Sequence, residues 1–200
     1  AKDLDAEEDE VLLFVAVREQ AAARLYSRVP WLRRQVLDTV ASYASEIEID
    51  TGSIEEQVRG MSFNPEDIQN IDIGGVFSPI DTPSQEASLA RLEHLLSLVE
   101  GWVSAVSAQA VAAQLPHAVP LNEMFSRRSV TDSPVNLVFG SLVGLDLKPR
   151  KIREAAAFWR MALERLEISG RDHLWSHPDL LPTIEHLEKP EAFFEDTEPS

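Results

Sequence analysis

A mainly α-helical fold, with two long core helices and little or no β structure, is what this 200-residue sequence predicts. Three observations carry it. Val11 to Leu32, VLLFVAVREQAAARLYSRVPWL, is an apolar helix-forming run closed by Pro30 and Trp31. Ser84 to Gln114 sets Leu89, Leu92, Leu96, Val99, Val103 and Ala110 at helical spacing. No pair of alternating runs joined by a turn reads as a hairpin.

Composition bounds the rest. Hydrophobic residues at 44% and charged residues at 26% suit one globular domain with a real core. That domain is expected over residues 1–183, followed by an acidic tail over 184–200 that frays. The formal charge of −16 repels phosphate backbones and anionic membrane surfaces. Nucleic acid and membrane are therefore not expected partners. The chain has no cysteine. Disulfides, thiolate metal sites and a cysteine nucleophile are excluded, and a reducing compartment fits. The charged start AKDLDAEEDE is not a signal peptide, and no apolar run is long enough to span a bilayer. A cytoplasmic location is expected. The chain starts at Ala1 rather than Met, which leaves room for a preceding segment.

The elements follow in order. Acidic residues before Val11 suit the positive end of a helix dipole. The first helix is expected over Glu8–Ser27, apolar on almost every side and therefore central. A second runs from Trp31 to about Ile47. Thr51 and Gly52 form its exit turn. Ser53 and Glu56 suggest a capping box for a short helix ended by Gly60. Met61 to Pro83 reads as a long surface connection. In the long helix Ser84–Gln114, Gly101 is costly unless another helix approaches closely there. Leu121–Arg128 and Val135–Leu142 are short helical pieces. A further helix opens at Lys148-Pro149 and ends before Gly170, burying Ile152, Ala155, Ala156, Trp159, Leu163 and Leu166. Its basic side (Arg150, Lys151, Arg153, Arg160, Arg165) is expected to pair with acids of the same chain. GRDHLWSHPDLLPT forms a short helix or turn.

Few constellations suggest chemistry. Arg18 and Glu19 stand mid-helix in an apolar run, and such a pair is more often a buried ion pair than a catalytic one. His173 and His177 lie four apart, but Pro178 cuts their helix short, and cap or surface roles are favoured. His94 is expected on the polar flank of the long helix. No serine sits in a nucleophile elbow. Gly74-Gly75 lacks the context of a phosphate loop.

Longer segments sharpen the reading. VREQAAARLYSRVPWLRRQV resembles the motif helix of a zincin-like actinobacterial family of zinc-dependent metalloproteases or hydrolases, some of whose members are associated by label with deazaflavin-cofactor biosynthesis. Val29-Pro30-Trp31-Leu32 matches the tail of that motif. LARLEHLLSLVEGWV resembles the family segment carrying Glu-Gly-His, and LVGLDLKPRKIREAAAFW and GRDHLWSHPDLLPT resemble its C-terminal segments. The resemblance covers about Val11 to Thr183. It implies that Glu19 stands where the general base of a His-Glu-x-x-His motif would be. Arg18 and Ala22 stand at the two imidazole positions, Glu100 at a third-ligand position, and Trp102 where the segment carries His.

These departures set the functional expectations. A catalytic zinc site needs three protein ligands and an open position. Arg18 is a permanent cation and Ala22 has no lone pair. The expected reading is a metalloprotease-family domain that is metal-free and inactive in this copy, with Glu19 a vestigial base and no cofactor. Arg18 would fill the metal position and pair with Glu19 or Glu100. The domain would then be structural or would bind a protein or peptide partner. The alternative is an active hydrolase using non-standard ligands or a missing N-terminal segment. A third reading is a small-molecule or peptide module lined by Trp31, Trp102 and Trp159, although core packing is the commoner role of such tryptophans.

Overall fold

In the computed structural model, residues 6–45, 83–131 and 151–195 are described. The short helix expected at Ser53–Gly60, nearly all of the Met61–Pro83 connection and the helical turn at Val135–Leu142 lie outside them. The described residues form seven α-helices: α1 (Glu8–Arg28), α2 (Pro30–Ser45), α3 (Pro83–Val111), α4 (Ala118–Thr131), α5 (Ile152–His173), α6 (Ile184–Glu188) and α7 (Pro190–Glu195). Two 3-10 turns, Leu174–Ser176 and Pro178–Leu180, join α5 to α6. The described residues contain no strand, as the missing hairpin signal implies.

The central element is α3, not α1. From Leu95 to Ala105 every residue except Glu100 is buried, so α3 is enclosed on all sides. It packs against α1, α2, α4 and α5. Its sequence permits this, because Glu100 is the one ionisable residue between Leu95 and Val111. The expectation that α1 is central is corrected. Its buried residues are Phe14, Arg18, Ala21 and Leu25, a single stripe. Leu12 and Leu13 face outward at 60% and 47% exposure. A run of apolar residues shows only that burial is affordable, and the neighbours decide which side is covered.

Local chemistry sets the breaks. Glu8, Asp9 and Glu10 occupy the first turn of α1 and Arg28 its last, both favourable to the helix dipole. The Val29 N–H reaches the Leu25 carbonyl at 3.0 Å, and Pro30 opens α2, where its missing N–H costs nothing. His117, between α3 and α4, bonds the Glu10 carboxylate through Nδ1 at 2.8 Å and ties the start of α1 to that turn.

Gly101 does what its cost requires. A Cβ there would lie 2.5 Å from the Ala155 Cβ and 2.7 Å from the Ala156 backbone nitrogen. The axes of α3 and α5 approach closely because neither residue at the crossing is large. Trp159 beside it is fully buried and donates its indole N–H to the Leu98 carbonyl at 2.9 Å. Phe158 and Ala162 complete the buried face of α5, whereas Ala156, Leu163 and Leu166 are only partly covered.

Two expectations about the C-terminal third are corrected. Instead of ending before Gly170, α5 runs to His173 across a break at Glu167, whose φ of 58° and ψ of −175° are a conformation that favours glycine. The turns beyond the break bury Arg171, Leu174 and Trp175, and that packing holds the strained residue in place. Nor does the chain fray over residues 184–195, as far as it is described. Thr183 and His186 form a capping box for α6. Leu187 and Phe194 are buried, and Phe194 stacks on Phe158 with centroids 5.4 Å apart. The acidic residues of this stretch dominate its composition and hide two well-placed apolar anchors. The basic side expected here pairs within the chain in part: Lys151 with Glu188 at 2.9 Å and Arg153 with Glu123 at 3.1 Å, whereas Arg160 bonds the Ala156 carbonyl and Arg150 lies outside the described residues.

Candidate functional site

Arg18 lies on the buried stripe of α1, between Phe14 and Ala21. The spacing of four and three residues puts it on the face turned toward α3. There its Nη2 donates to Oε2 of Glu100. The Arg18 side chain is 10% exposed and that of Glu100 32%. The pair sits at the edge of the core, where water reaches the carboxylate but hardly the guanidinium. Of the two partners the sequence allows, the structure selects Glu100. Glu19, one residue on, is turned about 100° around the helix and is exposed.

The remaining site positions are spread out. Ala22 is partly buried and packs against the main core cluster. Trp102 is 4% exposed and lies in the same cluster as Ala21 and Leu25. The Arg171 guanidinium carbon stands 5.6 Å from the Trp102 ring centroid, a cation–π contact. Trp102 therefore has its own neighbours.

The sequence reading missed three groups. Tyr26, on α1, has its phenol pKa raised by burial and by the nearby Glu100 carboxylate, which places it in the field of the ion pair. Arg171 is 5% exposed and donates from Nη2 to the neighbouring Asp172 at 2.7 Å. Trp175 stacks on Trp159 at 5.2 Å and on Trp31 at 6.3 Å. A charge inside an otherwise apolar helix was the available signal for Arg18. No comparable signal marks Arg171 or Trp175, which follow the break at Glu167.

The histidines divide as expected in one respect and differ in another. His177 accepts the Asp179 N–H at Nδ1 over 3.3 Å, which caps the Pro178–Leu180 turn, and His173 is exposed. His94 is a tether rather than a free flank residue. Its Nε2 meets the Pro182 carbonyl at 2.9 Å, so that nitrogen carries the proton and donates. Burial lowers the His94 pKa, and the bond to Pro182 opposes this only in part.

At the positions that the family resemblance gives to metal ligands, the donor set does not suit zinc. Arg18 and Ala22 supply no lone pair, and the Glu100 carboxylate is engaged by Arg18. Among the described residues, no three His, Asp or Glu side chains converge to hold a metal ion. No helix among them is long and apolar enough to cross a membrane.

A mainly helical domain built round one enclosed helix, with an ion pair between that helix and α1, is the class this geometry defines. Across residues 1–194 the chain matches the model of a family described as zincin-like metallopeptidase. The match spans nearly the whole sequence, and the chain belongs to the zincin-like metallopeptidase family. Comparison with curated proteins and with solved structures gave no match.

Proposed function

We propose that this chain is a metallopeptidase-family domain in which an ion pair replaces the metal, and that it serves as a structural or interaction domain rather than as a hydrolase. The observation that carries the reading is the Arg18–Glu100 bond. It supports the reading because Arg18, a permanent cation at a position the family resemblance gives to a metal ligand, engages Glu100, which the same resemblance makes a third ligand. A positive guanidinium beside that carboxylate offsets its charge as a metal would, and it polarises no water. Glu19, exposed on α1, is then a base with nothing to activate. A protein or peptide is the partner class proposed.

Purified full chain tests this directly. After dialysis, elemental analysis is expected to find zinc far below one equivalent. Hydrolysis of generic peptides is expected at the level of a Glu19→Gln control. One equivalent of retained zinc together with hydrolysis lost in Glu19→Gln would overturn the proposal in favour of an active enzyme with non-standard ligands.

A further inference from the structure

We propose that the cleft between the last turns of α1 and the Leu174–Ser176 turn binds a small carboxylate with an apolar body. This inference does not depend on whether the Arg18 region holds a metal. The cleft encloses about 330 Å³, the lower end of the range for small-molecule sites.

Two kinds of unmet demand coincide there. Trp102 and Trp175 wall the cleft, at 4% and 3% exposure, and neither indole N–H has a hydrogen-bond partner among the described residues. Buried donors are nearly always paired, so two orphans behind the wall of one cleft call for an acceptor; each nitrogen exposes less than 1 Å² here, so the ligand reaches it only as the indole turns toward the cleft. The other two tryptophans differ. Trp159 donates to the Leu98 carbonyl and Trp31 to the Trp175 carbonyl, each at 2.9 Å. Among the four indoles, the orphaned donors are thus those of the two tryptophans that line this cleft.

The second demand is charge. Arg24 and Arg28 line the cleft one helical turn apart, and neither guanidinium has an ion pair among the described residues. Asp172 also lines it, but its Oδ1 is held by Arg171 through Nε at 2.9 Å and Nη2 at 2.7 Å. The lining therefore keeps a positive surplus in a chain of net charge −16. A carboxylate meets both demands, because it accepts N–H bonds and pairs with guanidinium. Leu25, Val29 and the indole faces suit an apolar body rather than a bare inorganic anion.

Benzoate is the probe. In the ¹H–¹⁵N spectrum of the full chain, assigned by through-bond experiments, the four tryptophans give four indole signals. Benzoate is expected to move those of Trp102 and Trp175 saturably and to leave that of Trp159 in place. Arg24→Ala and Arg28→Ala should each weaken binding about ten-fold, the loss of one charged hydrogen bond. Benzamide, the neutral isostere, should bind at least about ten-fold more weakly for the same reason. Failure of benzoate to move the two signals overturns the site. Equal response to benzamide, or unchanged affinity in the double arginine variant, overturns the anionic recognition. Inorganic phosphate moving both signals as strongly as benzoate overturns the apolar half.

Discussion

The Arg18 guanidinium on α1 is bonded to the Glu100 carboxylate on α3, across 82 residues of sequence. It joins the one charged residue on the buried stripe of α1 to the one ionisable residue in the enclosed middle of α3. Each charge is tolerable there because of the other. Removing the cation alone leaves a carboxylate at the edge of an apolar core.

Arg18→Ala is therefore expected to destabilise the fold. A fully buried carboxylate left unpaired would cost about 3–5 kcal/mol. Glu100 keeps 32% of its side chain in water, which lowers the expected loss to about 2 kcal/mol. Adding Glu100→Gln to Arg18→Ala should recover part of it. Urea denaturation of the three proteins is the measurement, and an Arg18→Ala midpoint equal to the wild type would sink the prediction.

Gly101→Ala sets two effects against each other. Helix propensity favours alanine by about 1 kcal/mol. The new Cβ would stand 2.5 Å from the Ala155 Cβ and 2.7 Å from backbone, so α3 and α5 must separate. Overpacking of this kind costs about 1–3 kcal/mol, and backbone cannot move aside as a flexible side chain can. The variant is expected to melt lower than the wild type. A higher melting temperature would show that the crossing has slack.

His94 makes stability depend on pH in a stated direction. Burial lowers its pKa in the folded state below the ordinary 6.5. The unfolded chain then binds the proton more readily, and stability rises with pH between the two values. Its contribution is complete above about pH 6.5 and is lost as pH falls through the folded value. Denaturation at pH 7.5 and at pH 5.5 should show a smaller loss for His94→Gln than for the wild type. The same slope in both proteins would assign the effect to other groups.

Phe194→Ala probes the end of the chain. Phe194 is 6% exposed and stacks on Phe158, so its removal should cost about 3 kcal/mol. A chain that frayed from Ile184 would show almost no change. Thermal unfolding distinguishes the two, and Glu191→Ala, at an exposed position of α7, is the control.

Much of the fold is local information and was legible as such. Helical spacing in Val11–Leu32 and Ser84–Gln114, Pro30 at a helix start and the cost of Gly101 depend only on neighbours along the chain. The same spacing puts Arg18 in one stripe with Phe14, Ala21 and Leu25 and turns Glu19 away. The break at Glu167 was not legible, because a glutamate in that conformation is held by the packing of Leu174 and Trp175. Nor were the anchors Leu187 and Phe194, two apolar residues in an acidic stretch.

By itself, the sequence determined the helical class, the Arg18-Glu19 pair set into one apolar run and the single ionisable residue, Glu100, between Leu95 and Val111 of another. Only the tertiary structure decided that α3 is the enclosed helix, that Arg18 takes Glu100 rather than Glu19, and that Trp102 and Trp175 share a cleft with Arg24 and Arg28. The physical reason is range. Helix formation and side-chain phase repeat every few residues, whereas burial and ion pairing depend on which distant surfaces meet.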